Sequence, residues 1–371
     1  MAPALEPFLS YWRTTTARDR EIVEAIVRPE HRGPSDGLSR ALHEWPGVHY
    51  WASGADAGRL VLVRSLTAAP RERWWLHVVL FLGTFLTVQL GGFVLLGGSP
   101  HPLLAGDWSQ RALGFLHWLR SSVAGMPFAM ALMSILLAHE MGHYLTAKRY
   151  GINASPPYFL PAPVEINFIG TFGAFIRLRS PVVDRRQLMD VGAAGPWVGF
   201  LVAVLLLVVG MQHSYLVPPG EYGYTMVVEL GRGSVYLGDS LVTWGVRELF
   251  LGQGTAVLHP LAIAGCLGIL VTALNLLPLA QLDGGHIVYA LLRDRQRYVG
   301  LIAWLGLLML GKVYWGWWVW AGLILLLSGG RLAHPRVLEP LRPLPPSRIP
   351  IGWASILLFA VTFSPVPLTI Q

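Results

Sequence analysis

Residues 74–97 contain no Asp, Glu, Lys or Arg, and as a helix rising 1.5 Å per residue they are long enough to cross the roughly 30 Å hydrocarbon core of a bilayer. In lipid the backbone can satisfy its own polar groups only as a helix or a closed barrel. A continuous apolar run, without period-two alternation, selects the helix. Comparable runs recur at about 123–147, 188–210 and 258–280. Composition agrees: 53% of the residues are hydrophobic and 13% charged, about half the charged share of a soluble domain. A soluble chain of 371 residues would have to bury nearly all its surface to be this apolar, which its size does not allow. The 15 Trp and 41 Gly suit closely packed helices anchored at the interfaces by indole rings.

The net charge of +7 is almost wholly arginine, with Lys148 and Lys312 as the lysines. These arginines sit in short segments beside apolar runs, the pattern of membrane orientation and not of nucleic-acid binding. Basic segments fall before residue 74, between 148 and 186, from 293 to 297 and from 331 to 348. The loop at 211–257 instead carries Glu221, Glu229, Asp239 and Glu248 against Arg232 and Arg247. Alternating sides then place the N-terminus in the cytoplasm and that acidic loop outside. Cys266 stands alone inside an apolar run, which excludes a disulfide framework and a cysteine metal site. The first residues lack the basic and apolar regions of a cleaved signal, so insertion is expected to rely on the first internal span.

The fold class expected is an all-α polytopic membrane protein with about six to seven transmembrane helices and a small membrane-associated β-hairpin or strand segment. Residues 1–73 read as a small cytoplasmic segment, with helical periodicity in RDREIVEAIV and strands at HYWAS and RLVLVRSL. Residues 74–330 form the transmembrane domain, its core at about 123–290. Within it lie a polar linker at 101–110, an amphipathic piece at 111–120, and two short apolar runs at 298–310 and 313–327, expected as a tight hairpin or partly inserted pair. Residues 331–371 are a basic linker and a last membrane segment near 351–366. The stretch 151–180 is too apolar for a free loop and too rich in Pro and Gly for a helix. Irregular backbone at that depth needs protein or a water-filled cavity beside it, so a cavity is expected next to the second span.

That second span holds HEMGH, His139 to His143. On a helix, positions i and i+4 share a face, so the two imidazoles converge on one metal and Glu140 lies beside it, placed to take a proton from water. Ionisable groups in the middle of an apolar span are costly unless satisfied, which favours function over a pair of hydrogen-bonded core histidines. Such a site needs a third protein ligand, and Asp283 in NLLPLAQLDGGH is the best candidate; alone it would read as a cap or turn residue. Asn275, eight residues earlier, is placed either to bond another helix or to donate to a developing oxyanion. His286 is a candidate to support the ligands from behind, while His77, His101, His117, His213 and His259 read as interfacial. WGWWVW reads as an aromatic belt.

HEMGH in one span, GAAGP at 192–196 and N-x-x-P-x-x-x-x-D-G from Asn275 to Gly284 together resemble the site-2 protease family of intramembrane metalloproteases. The SPPYFLP and IGTFGAFIRLRSPVVDR stretches are similar to the branch that holds the plant-plastid EGY proteases and their bacterial relatives. The resemblance covers about residues 126–289. It implies Zn2+ held by His139, His143 and Asp283, Glu140 as catalytic base, Asn275 as a substrate or oxyanion contact, and a strand before Arg177 that pairs with an unwound substrate. The expected substrates are single-span or other membrane proteins, cut within or near their transmembrane segments. The expected location is a bacterial inner membrane with the lipid bilayer as partner, no nucleic acid, and an oligomeric state left open. The loop at 211–257 is too short and helix-like for a PDZ module, and no room follows residue 328 for a CBS pair. Two rivals are a metal or proton transporter, which would need an inverted repeat and further charges along a path, and a catalytically inactive membrane scaffold, which would need a missing ligand or base. Neither requirement is met.

Overall fold

The structure, a computed structural model, describes residues 3–370 apart from 18–19, 52–57, 66–71, 99–119, 180, 218–225, 231–232 and 341. The linker and amphipathic piece expected at 101–120 therefore lie outside the described residues, except Arg120, and His101 and His117 with them. The chain divides into two units, Met1–Arg73 with Val183–Arg185 and Val337–Pro343, and the remainder.

In the first unit, strands β1 (Leu9–Ala17), β2 (Arg20–Val27), β3 (Val48–Trp51) and β4 (Arg59–Ser65) form an antiparallel sheet in the order β1-β2-β4-β3. The helix expected over RDREIVEAIV is strand β2 instead. Its Ile and Val come in two adjacent pairs, Ile22–Val23 and Ile26–Val27, and so fall on both faces of a strand, where a central position between β1 and β4 rewards β-branched side chains. Val23, Ala25 and Val27 point inward with Leu60 and Leu62 onto helix α1 (Asp36–His43), whose first turn is capped by Ser35 accepting from Leu38 N–H. Glu21 faces Arg64 directly across the sheet and forms an ion pair with it.

The second unit is mostly helical. Among the described residues three helices are long and apolar enough to span a bilayer: α2 (Trp74–Leu95), α3 (Met126–Arg149, extended by a 3-10 turn from Ser122) and α4 (Arg185–Met211). After α5 (Leu241–Phe250) come shorter helices: α6 (Pro260–Asn275), α7 (Asp283–Leu292), α8 (Gln296–Leu310), α9 (Gly316–Leu327) and α10 (Ile349–Thr362). At sixteen residues α6 reaches about 24 Å, short of a full hydrocarbon core, because Pro278 and the turn around it end the apolar run early.

An all-α description is wrong: two further sheets accompany these helices. The acidic loop read as helix-like holds α5 but mostly strands. β7 (Tyr215–Val217), β8 (Met226–Leu230), β9 (Gly233–Leu237) and β10 (Thr255–Val257) join β11 (Leu368–Ile370) in the order β11-β9-β8-β10-β7. The strand-like segment expected after α3 is a hairpin of β5 (Tyr158–Pro161) and β6 (Thr171–Phe175). It is fastened to α2, where Thr87 Oγ1 donates to Gly170 O at 2.6 Å and His77 Nδ1 to Pro157 O at 3.0 Å. His77 is thus a buried brace for the hairpin, not an interfacial residue.

One cluster of charge ties three helices at the basic end of the bundle. Asp190 of α4 accepts from Arg348, just before α10, through Nε at 3.1 Å and Nη2 at 3.0 Å, and from the hydroxyl of Tyr150, the residue whose backbone N–H caps the end of α3. A partly buried, two-pronged Arg–carboxylate bond of this kind is among the stronger polar contacts available. Asp190→Ala and Arg348→Ala are each expected to lower the melting midpoint in detergent by several degrees. The double variant should melt no lower than the worse single one, as coupled partners do; additive losses would show that the two side chains act independently.

Candidate metal centre

Helix α3 carries Pro127 in its first turn and then apolar residues as far as Ala138, broken only by Ser134, whose hydroxyl donates to Ala131 O, so it delivers His139 and His143 one turn apart to the same face. His139, Glu140 and His143 are 4%, 6% and 6% exposed. The third group arrives from a distant stretch of chain. Helix α6 ends at Asn275, and the turn that follows bends through Ala280, which takes a φ of 46° rare for a residue with a side chain. Its N–H is held by Leu332 O at 3.1 Å. The turn restarts as α7 with Asp283 in first position. Gly284 packs so closely beneath it that a Cβ there would lie 1.9 Å from Leu276 O, which explains the glycine after the aspartate.

Asp283 Oδ2 lies 3.4 Å from His139 Nε2 and 3.3 Å from His143 Nε2, and the two Nε2 atoms are 3.1 Å apart. Ligand atoms placed tetrahedrally at about 2.0–2.1 Å from one ion are about 3.3–3.4 Å from each other, so the three atoms already span one face of such a tetrahedron. His143 Nδ1–H donates to Val191 O at 2.7 Å, which fixes the tautomer and leaves the Nε2 lone pair turned toward the shared point. This donor set fits a divalent ion with one coordination position left for water. Among the described residues it is the one group of three or more His, Cys, Asp or Glu so placed.

Glu140 and Asn275 lie beside this point. Asn275 Nδ2 lies 3.2 Å from His139 Nε2, and the Glu140 carboxyl faces the backbone N–H of Ile176 just beyond β6. His139, Glu140 and Asn275 all line a cavity of about 630 Å³. Its other walls are apolar side chains of α3, α6 and α9 and the β6 residues Thr171–Ala174, so the cavity expected beside the second span is present. β6 pairs only with β5, leaving its second edge without a strand among the described residues.

Several contributors have roles that their sequence signals did not specify. GAAGP is the seat of the His143 ring: a Cβ on Gly195 would be 2.1 Å from His143 Nε2. The Val191 carbonyl shows no side-chain chemistry at all. His286 contacts no ligand; its Nδ1 lies 2.6 Å from Nε2 of His334. Of the tryptophans expected as an aromatic belt, Trp315 and Trp318 are exposed. Trp317, however, is 1% exposed, donates from Nε1 to Pro365 O at 2.7 Å and walls the cavity. Gly195→Ala is expected to displace the His143 ring and lower bound metal per chain at least tenfold, measured by atomic emission on purified protein. Full metal occupancy in that variant would contradict the packing described.

The peptidase family M50 model matches residues 127–310. The protein described as "Probable zinc metalloprotease EGY2, chloroplastic" of Arabidopsis thaliana is 35% identical over 217 residues, 56% of this chain and 36% of that protein. "Probable zinc metalloprotease EGY1, chloroplastic" of Oryza sativa subsp. japonica is 35% identical over 243 residues, 61% of this chain and 40% of that one. The chain thus spans about two fifths or less of the curated relatives it matches. No solved structure matches it. The matched stretch contains His139, Glu140, His143, Asn275 and Asp283, and it is to peptidase family M50 that this part of the chain is similar.

Proposed function

We propose that this chain is a zinc-dependent intramembrane endopeptidase, with His139, His143 and Asp283 as zinc ligands and Glu140 as general base. The observation that carries the reading is the triangle of ligand atoms 3.1–3.4 Å apart, buried among apolar helices and opening onto a cavity shared with a carboxyl group. Bound zinc would supply Lewis acidity and a water acidic enough to be deprotonated near neutral pH. Glu140 takes that proton and returns it to the leaving amine. The Asn275 amide, beside His139 on the cavity wall, is placed to donate to the oxygen of the carbonyl under attack.

The substrate must be presented as extended backbone, because carbonyls within a helix are already bonded. The free edge of β6 and the apolar cavity beside it suit such a strand, the edge pairing with its backbone and Leu132, Leu136 and Leu274 accepting its side chains. These features support a membrane-embedded peptide as substrate, presented by a single-span or other membrane protein. The arginine distribution supports a cytoplasmic N-terminus and a site nearer that side, and the short apolar helices after α4 support six to seven membrane segments. The relatives are named chloroplastic, so the expectation of a bacterial inner membrane draws no support from them.

Purified protein in detergent should cleave a model single-span substrate, and a zinc chelator should abolish cleavage. Glu140→Gln should lose about 10²–10⁴-fold in rate, the usual weight of a general base, while retaining its metal. Asp283→Ala should lose the metal itself. Wild-type cleavage by Glu140→Gln would sink the assigned base, and unchanged zinc in Asp283→Ala would remove it from the ligand set.

A further inference from the structure

At the far end of α7 from Asp283 lies a second cavity, of about 340 Å³, lined by Tyr289, Arg293, Asp294, Arg297, His334 and Arg336 among others. Its charge is unbalanced. Asp294 is taken by Arg336, through Nε at 3.2 Å and Nη2 at 3.1 Å. The Arg297 guanidinium has Tyr298 as its partner, with Nη2 donating to the hydroxyl at 2.7 Å, and Arg293 faces no carboxylate among the described residues. His334 adds no charge: burial, then the neighbouring His286, holds it down at about 3. Three guanidiniums against one carboxylate leave two positive charges facing a space of molecular size.

The backbone is held in an uncommon form at the same place. Arg293 ends α7 with φ 55° and ψ −133°, a region that favours glycine, yet the chain keeps an arginine there. His334 forms a fixed wall. It stacks on Tyr289 at 4.6 Å, its N–H donates to Gln296 Oε1 at 2.8 Å, and its Nδ1 donates to Pro335 O at 2.5 Å. Planar guanidiniums presented from rigid elements are the usual means of holding a phosphate in two-pronged fashion.

What lies beside the cavity indicates where the phosphate comes from. Helix α8 starts at its rim, and Tyr298, Leu301, Ile302, Leu305 and Met309 are all exposed. Their spacing puts them on one continuous stripe running away from the arginines along the helix. An apolar stripe that begins at a basic pocket matches a molecule with a charged head and hydrocarbon tails.

We propose that the cavity between the C-terminus of α7 and the start of α8 binds the phosphate of an anionic lipid headgroup, with the acyl chains lying along α8. The site requires the chain to sit in a bilayer but not that its metal centre be active. Basic residues that merely orient the protein would make no distinction between those lining the cavity and those beside it. Arg295, in the same short turn but not lining the cavity, provides that comparison.

The test uses the full chain purified in a nonionic detergent, with bound lipid read by native mass spectrometry. Short-chain phosphatidylglycerol and phosphatidylcholine are titrated separately, and inorganic phosphate is added as competitor. Phosphatidylglycerol is expected to bind at least tenfold more tightly than phosphatidylcholine, with phosphate competing. Arg293→Gly with Arg297→Gln should weaken it at least tenfold, and Arg336→Gln alone should also weaken it. Glycine suits the backbone at 293, and an unchanged melting midpoint and metal content would show that the variants are folded. Arg295→Gln should bind within about twofold of wild type. Equal binding by the cavity variants, or an equal loss in Arg295→Gln, would overturn the proposal. Arginine-dependent binding of phosphate alone, without phosphatidylglycerol, would overturn the lipid as its source.

Discussion

Two imidazoles and a carboxylate are tolerable inside a bundle of apolar helices only because they face one another. In hydrocarbon an unpartnered polar group costs several kcal/mol, so a buried triangle of this kind must be satisfied by its own members, by a backbone carbonyl, or by an ion. His143 meets the need with Val191 O on one side and the shared point on the other. The geometry of the surrounding helices follows from that requirement. Helix α4 must approach α3 closely enough for Val191 to accept, which only a glycine at 195 allows, and α6 must stop early so that the chain can turn back and restart at Asp283.

The same economy explains the cavity. A site made from a helix face, a turn and a hairpin has open space where regular packing fails, and here that space lies between α3, α6, α9 and β6. Its lining is mostly apolar, with Asn167, Thr171 and Tyr314 as polar exceptions besides the residues of the candidate metal centre, so a hydrophobic strand gains burial along its length. The hairpin owes its position to two hydrogen bonds from α2, which makes the first spanning helix a structural partner of the candidate site although it contributes no ligand.

Much of this was legible because membrane physics simplifies the code. Long uncharged runs mark helices, and charges inside them are conspicuous; His139, Glu140 and His143 stood out for that reason and lie where the i, i+4 rule puts them. Asp283 was legible from the glycines after it, and the 151–180 hairpin from its Pro and Gly. The failures share a cause. In Arg20–Val27 and the 211–257 loop, the pattern within each segment does not show its pairing, and the decision belonged to partner strands, β1 and β4 in one case and β8, β9 and β11 in the other. Carbonyl partners such as Val191 O are invisible by nature, because every residue carries one. Trp317 shows the same limit: its burial depends on Pro365, which no local window contains.

Strand β11 of the five-stranded sheet has an implication for biosynthesis. β11 docks on β9, and Pro367 and Leu368 line the cavity into which Glu140 faces. These residues are synthesised after His139 and Asp283. The residues of the candidate metal centre therefore exist before the chamber around them can be walled, and that wall is complete only once the stretch around Leu368 has been threaded back.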